Sequence, residues 1–253
     1  MERLCDLAGD LPPADCYWFE VPENRSDPAS RLIRLWVAVV HGTGETAGNL
    51  PTIGLAGGPG DPDSTAWVSG NLVFAGGSNP TIVVIDQRGT GRSDPRLACT
   101  ELDPIASSTG GIELLVEERR SALGSCRDRL VDDGVDLDGY NTTQSAMDVV
   151  ELRAALGIDR WIVHGWSYGG RLAQEVYRQD PAGVAGLLLD GTMTTRPWQL
   201  DEVAENAQSA IDDVSAACAA APDCASMGDL GENLRRAEAL LDAEPYTLLS
   251  GDL

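Results

Sequence analysis

The sequence predicts an α/β fold in which a mostly parallel sheet carries helices on both faces. Three observations lead there. Short strand-like runs alternate with stretches of helical spacing through the first 190 residues. The later runs are apolar throughout, as strands buried on both faces are. The earliest runs are joined by short connections, which makes them an antiparallel edge. No internal repeat or low-complexity tract interrupts the pattern.

Residues 16–21 (CYWFEV) and Leu32–Val40 (LIRLWVAVV) read as the first two strands, with a glycine-rich turn over 41–48. Residues 52–56 (TIGLA) form a third strand that runs into Gly57-Gly58-Pro59-Gly60, a loop by composition. Residues 81–86 (TIVVID) are a short buried strand between Asn79-Pro80 and Arg88-Gly89. Helical spacing follows over 112–130 and 145–156, the second with Thr142 or Thr143 as cap and Gly157 as stop. Residues 161–165 (WIVHG) are a strand, 169–179 a helix ending before Pro181, and Val184–Asp190 (VAGLLLD) the last strand. After Pro197 the character changes. Residues 201–221 and 229–243 are alanine- and acid-rich helices with no strand between them. The expected division is a core over 1–196 and a helical segment over 197–253.

Hydrophobic residues make up 43% and charged residues 23% of the 253, a globular balance that argues against disorder. No apolar run approaches the ~20 residues of a membrane helix, so no span is expected. No basic start followed by an apolar core opens the sequence, so a secretory signal is expected to be absent or already removed. The net charge is −22, and all 18 basic residues are arginine. Such a surface repels nucleic acid and anionic lipid and suits cationic partners such as peptides with a free amine. The six cysteines fall in three close pairs, Cys5–Cys16, Cys99–Cys126 and Cys218–Cys224. An even count at these spacings suggests three local disulfides, one of 15 connectivities, and a secreted or extracytoplasmic protein; six buried thiols are the alternative. No C-x-x-C occurs and the two histidines do not complete a zinc site, so no metal and no cofactor is expected.

The strongest chemical signal is Gly165-Trp166-Ser167-Tyr168-Gly169, a G-x-S-x-G between a predicted strand and a predicted helix. The chain must reverse there in about one residue, which strains the serine and requires glycines beside it. The serine oxygen then stands at the end of the sheet and the start of a helix, where a developing anion is favoured. Acyl transfer also needs two N–H groups aimed at the substrate oxygen. Tyr168 follows the serine and supplies one; the glycine loop supplies the other, with Gly58 the preferred donor. Gly57, Pro59, Gly60 and Trp166 would then line the substrate. In Asp86–Ser93 (DQRGTGRS), Arg88 and Asp86 are expected to pair and pin the loops beside the serine. Gly89-Thr90-Gly91 and Gly42-Thr43-Gly44 lack the third glycine and the helix of a dinucleotide fingerprint.

GGPG, DQRGTGRS and GWSYGG, in this order and at these intervals, resemble the prolyl iminopeptidase and tripeptidyl aminopeptidase group of α/β-hydrolases. Residues 140–157 (YNTTQSAMDVVELRAALG) and 184–191 (VAGLLLDG) add to the resemblance, and the acidic helices with Cys218 and Cys224 resemble the start of the cap domain. The resemblance implies an α/β-hydrolase fold, incomplete at its C-terminal strands, plus the start of a helical cap. It implies Ser167 as nucleophile and the Gly58 and Tyr168 amides as oxyanion hole. The implied substrates are peptides or small amides and esters cut near a free amino terminus. In that group the catalytic acid and histidine follow the cap. Here His41 precedes the serine on an edge strand, and His164 sits on the nucleophile strand in a structural role. Asp190 is an alternative acid, more plausible as a loop anchor. Asp201, Glu202 and Glu205 are candidates to bind the substrate amine, although a solvated helix face explains them equally well. The chain alone is expected to be inactive, with the acid and base supplied by a C-terminal segment or by a complementing chain. The alternatives are a carboxylesterase-type hydrolase and a non-catalytic binding protein.

Overall fold

A computed structural model describes residues 14–42, 44, 49–62, 64, 80–107, 112–195, 202–226 and 228–243. The chain divides into two compact units, residues 1–195 and 196–253.

The first unit is built on a sheet. Its strands are β1 (Ala14–Pro22), β2 (Leu32–Val40), β3 (Thr52–Leu55), β4 (Ile82–Ile85), β5 (Trp161–Trp166) and β6 (Val184–Asp190). Among the described residues their order is β1-β2-β4-β3-β5-β6. β1 and β2 pair antiparallel, and so do β2 and β4; every other pairing is parallel. The helices of this unit are α1 (Ile112–Asp132), α2 (Thr142–Ala155) and α3 (Tyr168–Gln179).

The wholly apolar strands are buried on both faces because the pleat sends alternate residues opposite ways. Val83 and Ile85 join Leu35, Val37, Ile53 and Leu55 in one cluster, packed against Val149 and Leu152 of α2 and Leu172 and Val176 of α3. Ile82 and Val84 join Cys16, Trp36, Ala38 and Val40 in a second cluster on the other face. A smaller cluster gathers Leu130 and Val135 around Cys126, which is bonded to Cys99. Toward the C-terminal end of β6 the burial fails: Leu188 and Leu189 are exposed.

The cap of α2 is Asn141, not Thr142 or Thr143: its side chain accepts the Gln144 N–H at 3.0 Å. The helix therefore begins three residues before the expected start at 145, because asparagine offers a rigid carbonyl one residue upstream of the threonines. Gly157 ends the turn at φ +67°.

The second unit contains α4 (Val203–Ala220) and α5 (Leu230–Ala243), with a single helical turn at Pro222–Ala225 between them. Cys218 and Cys224 are disulfide-bonded across that junction. Cys16 is also disulfide-bonded, and Cys5, its expected partner, lies outside the described residues. No helix among the described residues is long and apolar enough to cross a membrane.

Candidate active site

Ser167 follows β5 and precedes α3, at φ 56° and ψ −122°. It is the sole non-glycine residue with positive φ among the described residues. A side chain held there stores about 1–3 kcal/mol of strain, so surrounding contacts must impose it. Three backbone hydrogen bonds do so. The Ser167 N–H donates to Asp190 O at 2.9 Å, and the Ser167 carbonyl accepts from Gly170 and Met193 at 3.1 and 3.0 Å. The neighbouring glycines are required by space. A Cβ on Gly165 would lie 2.2 Å from the Gly169 carbonyl oxygen, one on Gly169 2.0 Å from Leu55 O, and one on Gly170 2.1 Å from Thr192 Oγ1.

The loop after β3 reaches this bend. A Cβ on Gly57 would meet Ser167 Cβ at 3.0 Å and Ser167 Oγ at 3.4 Å, so the glycine backbone lies against the hydroxyl. Gly58 has φ +104°, a conformation that favours glycine. The Ser167 side chain makes no capping bond to α3. Tyr168 is the first residue of α3, where an N–H has no intrahelical acceptor. The arrangement brings a half-buried hydroxyl, a helix N-terminus and a glycine backbone together at the carboxyl end of the parallel strands. Pro59, Gly60 and Trp166 are exposed around it.

Neither histidine stands with Ser167. His41 follows Val40, which pairs with Ile82 at the start of β4, so it lies at the opposite end of the sheet; its Nε2 is 2.9 Å from Asp15 Oδ2. His164 lies within β5, and burial holds its ring below the usual histidine range, partly offset by the Asp190 carboxylate. Asp190 is level with Trp166 in β6, and its backbone carbonyl anchors the Ser167 amide. Glu202 and Glu205 belong to the second unit, at the start of α4; Asp201 lies outside the described residues. The cluster Cys99, Glu101 and Cys126 has metal-ligand spacing, but its sulfurs are bonded to each other and Glu101 pairs with Arg129 at 2.7 Å.

The expected pairing of Arg88 with Asp86 is not formed. Arg88 instead donates Nε and Nη2 to Asp148 of α2, both at 2.7 Å, and Nη1 to the Gly139 carbonyl at 2.6 Å. Asp86 takes Ser64 N and Oγ, both at 2.7 Å, and Arg92 N at 2.8 Å. Backbone and hydroxyl donors beside Asp86 satisfy it locally, which frees the arginine to cross to α2. Asp148 also receives Arg25 at 2.7 Å, and burial pulls its carboxyl upward against the two arginines. Alongside, Tyr140 donates to Glu23 at 2.7 Å; burial and that carboxylate push the phenol well above its usual range. This buried ionic network fixes the wall beside the bend. The available sequence signal was helical spacing: Ser145, Asp148, Val149 and Leu152 share the inward face of α2.

A family profile described as alpha/beta hydrolase fold matches residues 57–244. The chain belongs to the alpha/beta hydrolase family. Among its curated relatives, the serine protease Hip1 of Mycobacterium tuberculosis is 24% identical over 241 residues, spanning 90% of this chain and 46% of that protein. A proline iminopeptidase of Neisseria gonorrhoeae is 31% identical over 160 residues, spanning 60% of this chain and 37% of that protein. The chain thus spans less than half the length of these curated relatives. The crystal structure of a proline iminopeptidase-related protein from Thermus thermophilus matches with a TM-score of 0.43 and 21% identity, over 76% of this chain and 50% of that one.

Proposed function

We propose that this chain carries the nucleophile of a serine hydrolase of the aminopeptidase type, which cleaves peptides or aminoacyl amides and esters near a free amino terminus. The observation that carries the reading is the strained Ser167 held against the Gly57–Gly60 loop. The peptidase names of the curated relatives support the substrate class. The excess of 40 acidic over 18 basic residues supports a substrate with a positive amine.

In this reading Ser167 Oγ attacks the scissile carbonyl and passes its proton to a histidine outside these 253 residues. The Gly58 and Tyr168 N–H groups hold the oxyanion. The histidine returns the proton to the departing amine, and water then releases the acyl group from Ser167. That histidine and its acid partner come from a later segment of the same protein or from a complementing chain. Support comes from the position of His41 at the opposite end of the sheet, from the place of His164 within β5, and from the relatives' greater length. Residues 1–196 serve as the core and 197–253 as the start of a cap, with Glu202 a candidate for the amine. The Cys99–Cys126 and Cys218–Cys224 disulfides support a secreted or extracytoplasmic site of action.

The test compares aminoacyl and tripeptidyl nitroanilides with their N-acetylated forms, using this chain alone and together with the polypeptide that completes it. The completed enzyme is expected to prefer the free amine, the chain alone to show no turnover, and Ser167→Ala to abolish turnover. Turnover that survives Ser167→Ala, or full turnover by the chain alone, would overturn the reading. Equal cleavage of acetylated and free substrates would remove the aminopeptidase class while leaving the hydrolase.

A further inference from the structure

A cavity of about 320 Å³ opens beside the bend. One wall is Pro59 and Gly60, next to the proposed oxyanion loop, and Tyr168 contributes to the same rim. The volume sits at the lower end of ligand pockets, roughly 300–1,000 Å³, enough for one residue of a peptide rather than a whole one.

Most polar side chains lining it are already committed. Arg88 is bound to Asp148 and backbone carbonyls, and Tyr140 donates to Glu23. Asn141 caps α2 and donates to Asp138 O. The Tyr168 hydroxyl is 2.9 Å from Thr142 Oγ1. Two liners differ. Ser145 is a buried residue, 7% exposed, and its hydroxyl makes no hydrogen bond among the described residues. The Arg96 guanidinium makes no ion pair or hydrogen bond among them either. Arg119, Arg171, Arg235 and Arg236 are likewise without an ion pair among the described residues, but Arg96 is the one of these that lines this cavity.

The segment that carries Arg96 is fixed on both sides. Arg96 bridges to Gly89, and the Leu97 N–H donates to Gly89 O at 2.9 Å. Two residues further on, Cys99 is bonded to Cys126 of α1, and Arg129 holds the Ala98 carbonyl at 2.8 Å. The backbone that carries the exposed Arg96 side chain is therefore held in place beside the cavity.

We infer that this cavity is a carboxylate subsite, in which Arg96 and the Ser145 hydroxyl hold an acidic group of the peptide bound at Ser167. The inference rests on the proposed hydrolase reading and extends it to the second end of the substrate. The excess of carboxylates over the whole chain would favour the amine, and Arg96 provides the local cation without which a carboxylate would be repelled by the rest of the surface. The chemistry suits either the terminal carboxylate of a short peptide or the side chain of an aspartate or glutamate.

Calorimetric titration tests it on the completed enzyme with Ser167→Ala, so that nothing is turned over. The ligands are trialanine, trialanine amide, and an alanyl-alanyl-glutamate amide. Trialanine is expected to bind about tenfold more tightly than its amide, the scale of one charge-assisted contact. Arg96→Gln should reduce that ratio to about twofold or less, and Arg96→Lys should keep part of it, since lysine retains the charge but not the planar fork. If the glutamate amide recovers the tighter binding, the subsite reads a side chain; if it does not, the subsite reads the chain terminus. Equal affinity for trialanine and its amide, a preference that persists in Arg96→Gln, or no measurable binding of any of the three would overturn the subsite. Failure of the hydrolase reading would show separately, as turnover that Ser167→Ala does not remove.

Discussion

Replacing Ser167 by glycine should stabilise the fold relative to replacing it by alanine. Both variants lose the hydroxyl, so the comparison isolates the Cβ. At φ 56° and ψ −122° an alanine keeps the strain that serine bears, and a glycine does not. The strain amounts to about 1–3 kcal/mol. Glycine gives back roughly 0.4–1 kcal/mol through the greater freedom of the unfolded chain. The net expectation is a glycine variant more stable than the alanine variant by ~1 kcal/mol. Urea unfolding of the two proteins, followed by tryptophan fluorescence, measures this directly. With a urea slope of ~2 kcal/mol per molar, the midpoint should rise by about 0.5 M. A glycine variant that unfolds at the same or lower urea than the alanine variant would refute the claim that the bend is strained.

Asp148→Ala leaves Arg88 and Arg25 without their shared carboxylate and should cost about 3–5 kcal/mol in urea unfolding. In a double-mutant cycle, Arg88→Met with Asp148→Leu should cost less than the two single changes summed. Gly169→Ala should prevent folding or cost several kcal/mol, because its methyl would fall 2.0 Å from Leu55 O; near-native circular dichroism and an unchanged midpoint would contradict this. Glu23 is shifted upward by burial, but its bonds with Arg31 and Tyr140 outweigh this and hold it below the ordinary glutamate value of 4.5. Its contribution is thus present above about pH 4.5 and lost as the pH falls through the lowered value, so Glu23→Gln should flatten the acid limb of a stability-versus-pH curve.

The fold was legible where chemistry is local. TIVVI can be buried on both faces only as a short central strand, and VAGLLLD occupies the strand read for it. The G-x-S-x-G bend could be placed because its glycines, its strand and its helix are contiguous. The cap of α2 was misplaced by one side chain, since Asn141 and the threonines that follow it all have capping chemistry and only geometry separates them. The partner of Arg88 was not legible. Asp148 is 60 residues away, and nothing in DQRGTGRS indicates that Ser64 and Arg92 satisfy Asp86 first. Nor could spacing show that Asp190 meets Ser167 through its backbone carbonyl rather than its carboxylate. Both depend on how distant segments pack.

The most direct measurement is covalent. The completed enzyme, treated with a fluorophosphonate and digested, should carry a phosphonyl group on the peptide containing Ser167, and Ser167→Ala should carry none. Labelling of a different serine, or labelling that is unchanged in Ser167→Ala, would contradict the central claim that the bend after β5 presents the nucleophile.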